Sequence, residues 1–121
     1  MEITIRTVGK CKVLDCHGKL SLGPATATFR KTFREAVQDG TSKVVLNVKE
    51  VAYIDSSGMG ELISSYIHIK NQGGKLVFLN LKKKIQMLFS FKGIIFEYYD
   101  DEQKALEGFE QPRTQSEKEE Q

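Results

Sequence analysis

The sequence predicts a single α/β domain built on a mixed, mostly parallel sheet. Three observations carry that prediction. From residue 42 onward, short apolar runs rich in β-branched residues alternate with helix-period segments, the order that βαβ units require. Ahead of them, two strand-like runs meet at Gly9-Lys10, a short turn signal that makes them an N-terminal antiparallel hairpin. Stops at Gly40, Gly73-Gly74 and Gly93 then close the segments that read as helices. The helices are expected to pack on the sheet, joined to it by right-handed crossovers.

Taken in order, Ile3 to Val8 alternates as a half-exposed first strand, and Cys11 to His17 reads as the second. Cys11 and Cys16 are an odd number of residues apart in that strand, so their side chains point to opposite faces. They are expected to be buried or half-buried free thiols that neither pair with each other nor share a metal, which fits a reducing compartment. A loop covers residues 18–23, and Pro24 suits the first position of a helix. That helix gathers Phe29, Phe33, Ala36 and Val37 on one face.

Val44 to Val48, apolar except for Asn47, has the pattern of an interior strand. The helix after it, residues 57–71, should bury Met59, Leu62, Ile63, Tyr66 and Ile67. Lys75 to Leu81 is the fourth strand, and Lys82 to Phe91 a helix with Ile85, Leu88 and Phe89 inward. Ile94 to Tyr99 is the last strand. Asp100-Asp101-Glu102 then opens a short helix that docks through Ala105, Leu106 and Phe109. The folded domain is expected over residues 1–109. Residues 110–121 hold four glutamates against Arg113 and Lys118 with no large apolar residue, and are expected to form a disordered polar tail.

The formal net charge of +2 gives no electrostatic case for a nucleic-acid partner. No apolar stretch approaches the roughly 20 residues of a membrane span. Met1-Glu-Ile-Thr-Ile-Arg begins a strand pattern rather than a signal peptide, so a cytoplasmic location without a membrane partner is expected.

Candidate chemistry centres on Asp55-Ser56-Ser57-Gly58, between the third strand and the second helix. A helix start carries unpaired N–H groups and partial positive charge, so it suits a capping side chain or a phosphate covalently attached to Ser56. A hydrolase nucleophile at Ser56 lacks the Gly-x-Ser-x-Gly elbow, and His17 and His68 are the only histidines available to serve it. Gly58-Met59-Gly60 lacks the third glycine of a dinucleotide loop, since Ile63 stands in its place, and there is no P-loop. No metal site is expected. Lys82-Lys83-Lys84 reads as a solvated face.

From Ile3 to Phe109 the chain resembles STAS domains, the fold of bacterial anti-sigma factor antagonists. The resemblance is carried by Val45-Leu46-Asn47-Val48 and by Tyr53-Ile54-Asp55-Ser56-Ser57-Gly58-Met59-Gly60. Lys70-Asn71-Gln72-Gly73-Gly74-Lys75-Leu76 and Leu88-Phe89 before Gly93 continue it in order. It implies that Ser56 is phosphorylated by an anti-sigma factor, a serine kinase with a histidine-kinase-like ATPase fold, and that a metal-dependent serine phosphatase resets it. The unphosphorylated form would bind that anti-sigma factor and free the sigma factor, with no cofactor and no catalysis of its own. By the same resemblance Ser21, Asp55, Ser56, Ser57, Gly58 and Met59 are the partner-binding residues. Gly18-Lys19-Leu20-Ser21 departs from the acidic Gly-Glu-Leu/Ile-Asp loop of many relatives, reversing one charge and removing another, and should lie near Ser56.

The physical expectation is local exclusion. A phosphate adds about −1.5 to −2 charges beside Asp55, which a partner packed on the same rim would meet unpaired. Two other readings compete: a STAS scaffold component of a larger stress-sensing assembly, and a small hydrolase or nucleotide-binding enzyme using Ser56.

Overall fold

The computed structural model describes residues 1–110. Five strands, β1 (Glu2–Val8), β2 (Cys11–Leu20), β3 (Lys43–Ile54), β4 (Lys75–Leu79) and β5 (Glu97–Tyr99), form one sheet in the order β1-β2-β3-β4-β5. β1 and β2 are antiparallel, and every other pair is parallel. The helices are α1 (Pro24–Val37), α2 (Ser56–Asn71), α3 (Lys83–Phe91) and α4 (Glu102–Glu107). The alternation of strands and helices after the hairpin is thus realised. The expected tail lies, from residue 111 on, outside the described residues. Among the described residues no helix is long and apolar enough to cross a membrane.

Side chains alternate across the sheet and divide the core in two. Leu14, Cys16, Val44, Leu46, Val48, Leu76 and Phe78 meet the inner faces of α1, α2 and α3. Phe29 and Phe33 come from α1, Met59, Leu62 and Ile69 from α2, and Ile85 and Phe89 from α3. On the other face Val13, Val45, Val77 and Leu79 pack on Ala105 of α4, with Leu106 and Phe109 beside it. Cys16 lies in the first cluster, whereas Cys11 lines a shallow cleft with Leu106 and Phe109 on the α4 side. Both thiols are buried and free, and burial pushes Cys16 up to about 12.

Asn47, the polar residue in the central strand, is explained on the α4 face. Its amide donates to Asp15 Oδ1 at 2.8 Å and accepts from Asn80 at 3.2 Å. Arg6 donates to Asp15 at 2.6 Å and to Glu102 at 2.7 Å, and so ties α4 to the first strand. A second polar pair is deeper: Lys75 Nζ stands 2.7 Å from Glu97, which is 4% exposed and also accepts from the Tyr99 hydroxyl at 2.8 Å.

Four expectations are corrected. α2 buries Leu62, Ser65 and Ile69 along with Met59; Ile63 and Tyr66 are only partly buried, and Ile67 is half-exposed. The face turns toward Ser65 because its hydroxyl donates to the Glu61 carbonyl at 2.9 Å, which removes the cost of burying it. Leu88 likewise faces out, since Ile85 and Phe89 suffice to seat α3 on Phe78. The last strand pairs over Glu97–Tyr99 alone, because the preceding residues cross to it while Phe96 packs edge-on against Phe78 and Phe89. Finally, β2 and β3 run past His17 and Val48 to Leu20 and Ile54, pairing through two register shifts. That extension builds the site.

Candidate functional site

The extended pairing brings two chain ends side by side. Lys19 is opposite Tyr53 and Leu20 opposite Ile54, so Ser21 and Leu22 emerge beside Asp55. The Asp55 N–H donates to the Leu20 carbonyl at 3.3 Å. In the other direction, the Asp55 carboxylate accepts from the N–H of Leu22 at 2.9 Å and of Gly58 at 2.8 Å. Asp55 is therefore the N-cap of α2 and at the same time the clamp on the loop after β2. Those backbone bonds, Leu22 first and Gly58 second, hold its carboxyl below the usual carboxylate range.

Gly58 is what permits this closeness. A Cβ there would lie 2.0 Å from the Leu20 carbonyl oxygen, so any other residue would push β2 off the helix. Gly60 has no such neighbour within 4 Å and faces open space.

The site residues named from the sequence fall into two groups. Ser56 is exposed in the first turn of α2, and Ser21, Asp55 and Ser57 are half-buried around it. Gly58 and Met59 are buried, Gly58 under Leu20 and Met59 in the main core, and shape the rim from beneath. With the capping already done by Asp55, the Ser56 hydroxyl is left on the surface.

Two apolar residues complete the rim that the sequence reading left out. Leu22, whose N–H is bonded to Asp55, is 78% exposed, and Tyr53, two residues before Asp55, is 54% exposed. Their signals were an isolated leucine in a polar loop and a tyrosine two residues before the cap. Beyond them, Arg30 of α1 donates through Nε and Nη2 to Glu61 Oε1 of α2, an exposed ion pair that links the two helices flanking the rim.

Neither histidine reaches this serine. His68 lies three turns along α2, about 18 Å away at 1.5 Å per residue, edge-on to Phe33 and beside Gln72. His17 is opposite Glu50, roughly 16 Å back along β3 from the cap. Asp55 is occupied by backbone N–H groups. The described geometry therefore leaves an exposed hydroxyl on the rim, with neither histidine beside it and the neighbouring carboxylate engaged by backbone N–H groups.

Comparison with known proteins agrees with this architecture. The profile of the STAS domain matches residues 2–105. The anti-sigma-B factor antagonist of Bacillus subtilis is 30% identical over 77 residues, covering 64% of this chain and 69% of that protein. Among solved structures, the Thermotoga maritima protein TM1081 superposes with a TM-score of 0.80 at 21% identity, over 89% of this chain and 94% of that one. The Bacillus cell fate determinant SpoIIAA in its phosphorylated form gives a TM-score of 0.71 at 20% identity, over 93% of this chain and 100% of that one.

Proposed function

Since the chain belongs to the STAS domain family, with anti-sigma factor antagonists among its relatives, we propose that it is itself an antagonist switched by phosphate on Ser56. The unphosphorylated rim binds an anti-sigma factor that is also a serine kinase of histidine-kinase-like ATPase fold. Phosphorylation turns binding off, and a metal-dependent serine phosphatase restores it. The observation that carries this reading is the division of labour at the start of α2. Asp55 caps the helix and clamps the loop, which frees the neighbouring Ser56 hydroxyl for solvent and for a kinase.

The mechanism follows from charge and packing. Leu22 and Tyr53 supply apolar contact, and Ser21, Asp55, Ser56 and Ser57 supply the polar part of the surface. A phosphate on Ser56 adds about −1.5 to −2 charges next to the Asp55 carboxylate. The N-terminus of α2 accommodates part of that charge, so the fold is kept. A bound partner would instead bury an unpaired dianion, at a cost of several kcal/mol and two or more decades of affinity. Lys19, exposed near the rim, adds a positive charge that selects a partner less basic than one suited to an acidic loop.

The test is phosphate mapping on the protein from its native host, by intact mass and phosphopeptide sequencing. Phosphate on Ser56 that vanishes on deletion of a histidine-kinase-like anti-sigma gene is the expected result. A chain unmodified under every growth condition, or a Ser56→Asp protein with undiminished partner affinity, would sink the switch.

A further inference from the structure

The outward face of α3 breaks two local rules at once. Its first turn holds Lys83 and Lys84, preceded by Lys82 at the cap, and no acid. Cations there oppose the helix dipole, each by roughly the amount a cation stabilises the other end. Lys82 is tied down by donating to the Val51 carbonyl at 3.0 Å. Lys83 and Lys84 are exposed and take part in no ion pair among the described residues.

The last two turns of the same face are apolar and bare. At about 100° per residue, Met87 and Phe91 project away from the buried side chains of Ile85 and Phe89. Phe91 is 90% exposed and Met87 67% exposed, with Leu88 partly exposed beside them. The helix then ends at Gly93 (φ 73°), where the Ile94 N–H donates back to the Phe89 carbonyl at 3.1 Å. This fixes the position of Ile95, another exposed apolar residue, which borders a cleft of about 380 Å³ with Tyr66 and Lys70. An exposed phenylalanine at one end of a helix face and unpaired lysines at the other are a cost in solubility and helix stability, and such costs mark functional surface.

We propose that this face docks an acidic amphipathic helix of a partner protein, separately from the Ser56 rim. Charge chooses the occupant. Residues 82–95 carry four lysines and no acid, so a second copy of this chain would bring no acid from this face to meet them. The face is also polarised along its axis, with Lys83 and Lys84 at one end and Met87 and Phe91 one and two turns on. That order matches a helix with carboxylates at one end of its apolar stripe, read at i, i+4 spacing, better than a lipid surface uniform in all directions.

The probe is a fluorescein-labelled synthetic helix with leucines four residues apart and glutamates at one end, titrated with the full chain. A peptide with lysines in place of the glutamates is run beside it, as are phosphatidylserine–phosphatidylcholine vesicles. The acidic peptide is expected to bind at or below about 100 µM and to weaken as salt shortens the screening length from about 10 Å at 0.1 M toward 3 Å at 1 M. Phe91→Ser and the pair Lys83→Glu, Lys84→Glu should each reduce binding at least tenfold, with unchanged urea midpoints showing that the fold is kept. The lysine peptide should not bind. Binding indifferent to both variants, or absent at 1 mM, overturns the proposal. So does either rival occupant: vesicle binding lost on Phe91→Ser without peptide binding, or self-association abolished by that substitution.

Discussion

Two glycines in the first turns of α2, both in helical backbone, should respond to alanine with opposite signs. At Gly58 the added Cβ would stand 2.0 Å from the Leu20 carbonyl oxygen, 2.9 Å from its carbonyl carbon and 3.0 Å from its side-chain Cγ. Relief needs a backbone movement of more than an ångström. The Leu20 carbonyl is held by the Asp55 N–H, and the next residues are held by the Leu22–Asp55 bond, so no flexible end can yield. Overpacking of this kind costs about 1–3 kcal/mol, and a backbone obstacle places Gly58→Ala at the upper end. At Gly60 nothing lies within 4 Å, and alanine there gains about 0.5–1 kcal/mol of helix propensity. The two variants should therefore differ by about 3–4 kcal/mol, or a separation of about 2 M in urea midpoint for a chain of this size. Equilibrium urea unfolding followed by circular dichroism measures it. Equal midpoints, or a Gly58→Ala protein as stable as the parent, would refute the close approach on which the whole rim depends.

Lys75→Ala should destabilise by about 3 kcal/mol, since it strips the cation from a carboxylate that is 4% exposed, and Lys75→Met with Glu97→Gln should recover much of the loss; urea unfolding of the three proteins decides. The Asp55 carboxyl is held below its unfolded value by the Leu22 and Gly58 N–H groups. Its contribution is present above about pH 4 and drains away as pH falls through the folded value. Asp55→Asn keeps a capping oxygen without the titration, so its unfolding midpoint should fall less steeply than the parent's between pH 4 and pH 2.5; parallel curves would contradict this. Cys16, pushed up to about 12 by burial, should resist a thiol reagent at pH 8 until the chain is unfolded, and prompt labelling of Cys16 by peptide mapping would show that the core opens.

The fold was legible where sequence pattern and tertiary burial agree. Phe29, Phe33, Ala36 and Val37 are spaced for one face of α1 and are buried there, because a long helix on an apolar sheet has one way to seat such a stripe. Periodicity failed where a polar residue carries its own partner. Ser65 is buried in place of Ile67 because its hydroxyl is satisfied within the helix, and no hydropathy pattern records that bond. It failed too where pairing is irregular. Gly18 (φ 106°) reads as loop and the strand pattern stops at Val48 before the exposed Lys49-Glu50, yet these residues lie in the shifted register through which β2 and β3 stay paired to Leu20 and Ile54.

That irregular pairing explains why the motif was visible while its surroundings were not. Asp55-Ser56-Ser57-Gly58 announces a helix start by residue type alone, because capping is a local demand of the backbone. Which side chain meets that demand is a tertiary matter. The Leu22 N–H arrives only because β2 continues to Leu20, and the β2 end can approach only because residue 58 has no Cβ. Once the carboxylate of Asp55 is committed to Leu22 and Gly58, the adjacent hydroxyl is left free of the cap and exposed to solvent. The same few contacts therefore hold the rim together and leave Ser56 open, so under the proposed switch a charge added at Ser56 would be felt by a docked partner before it is felt by the fold.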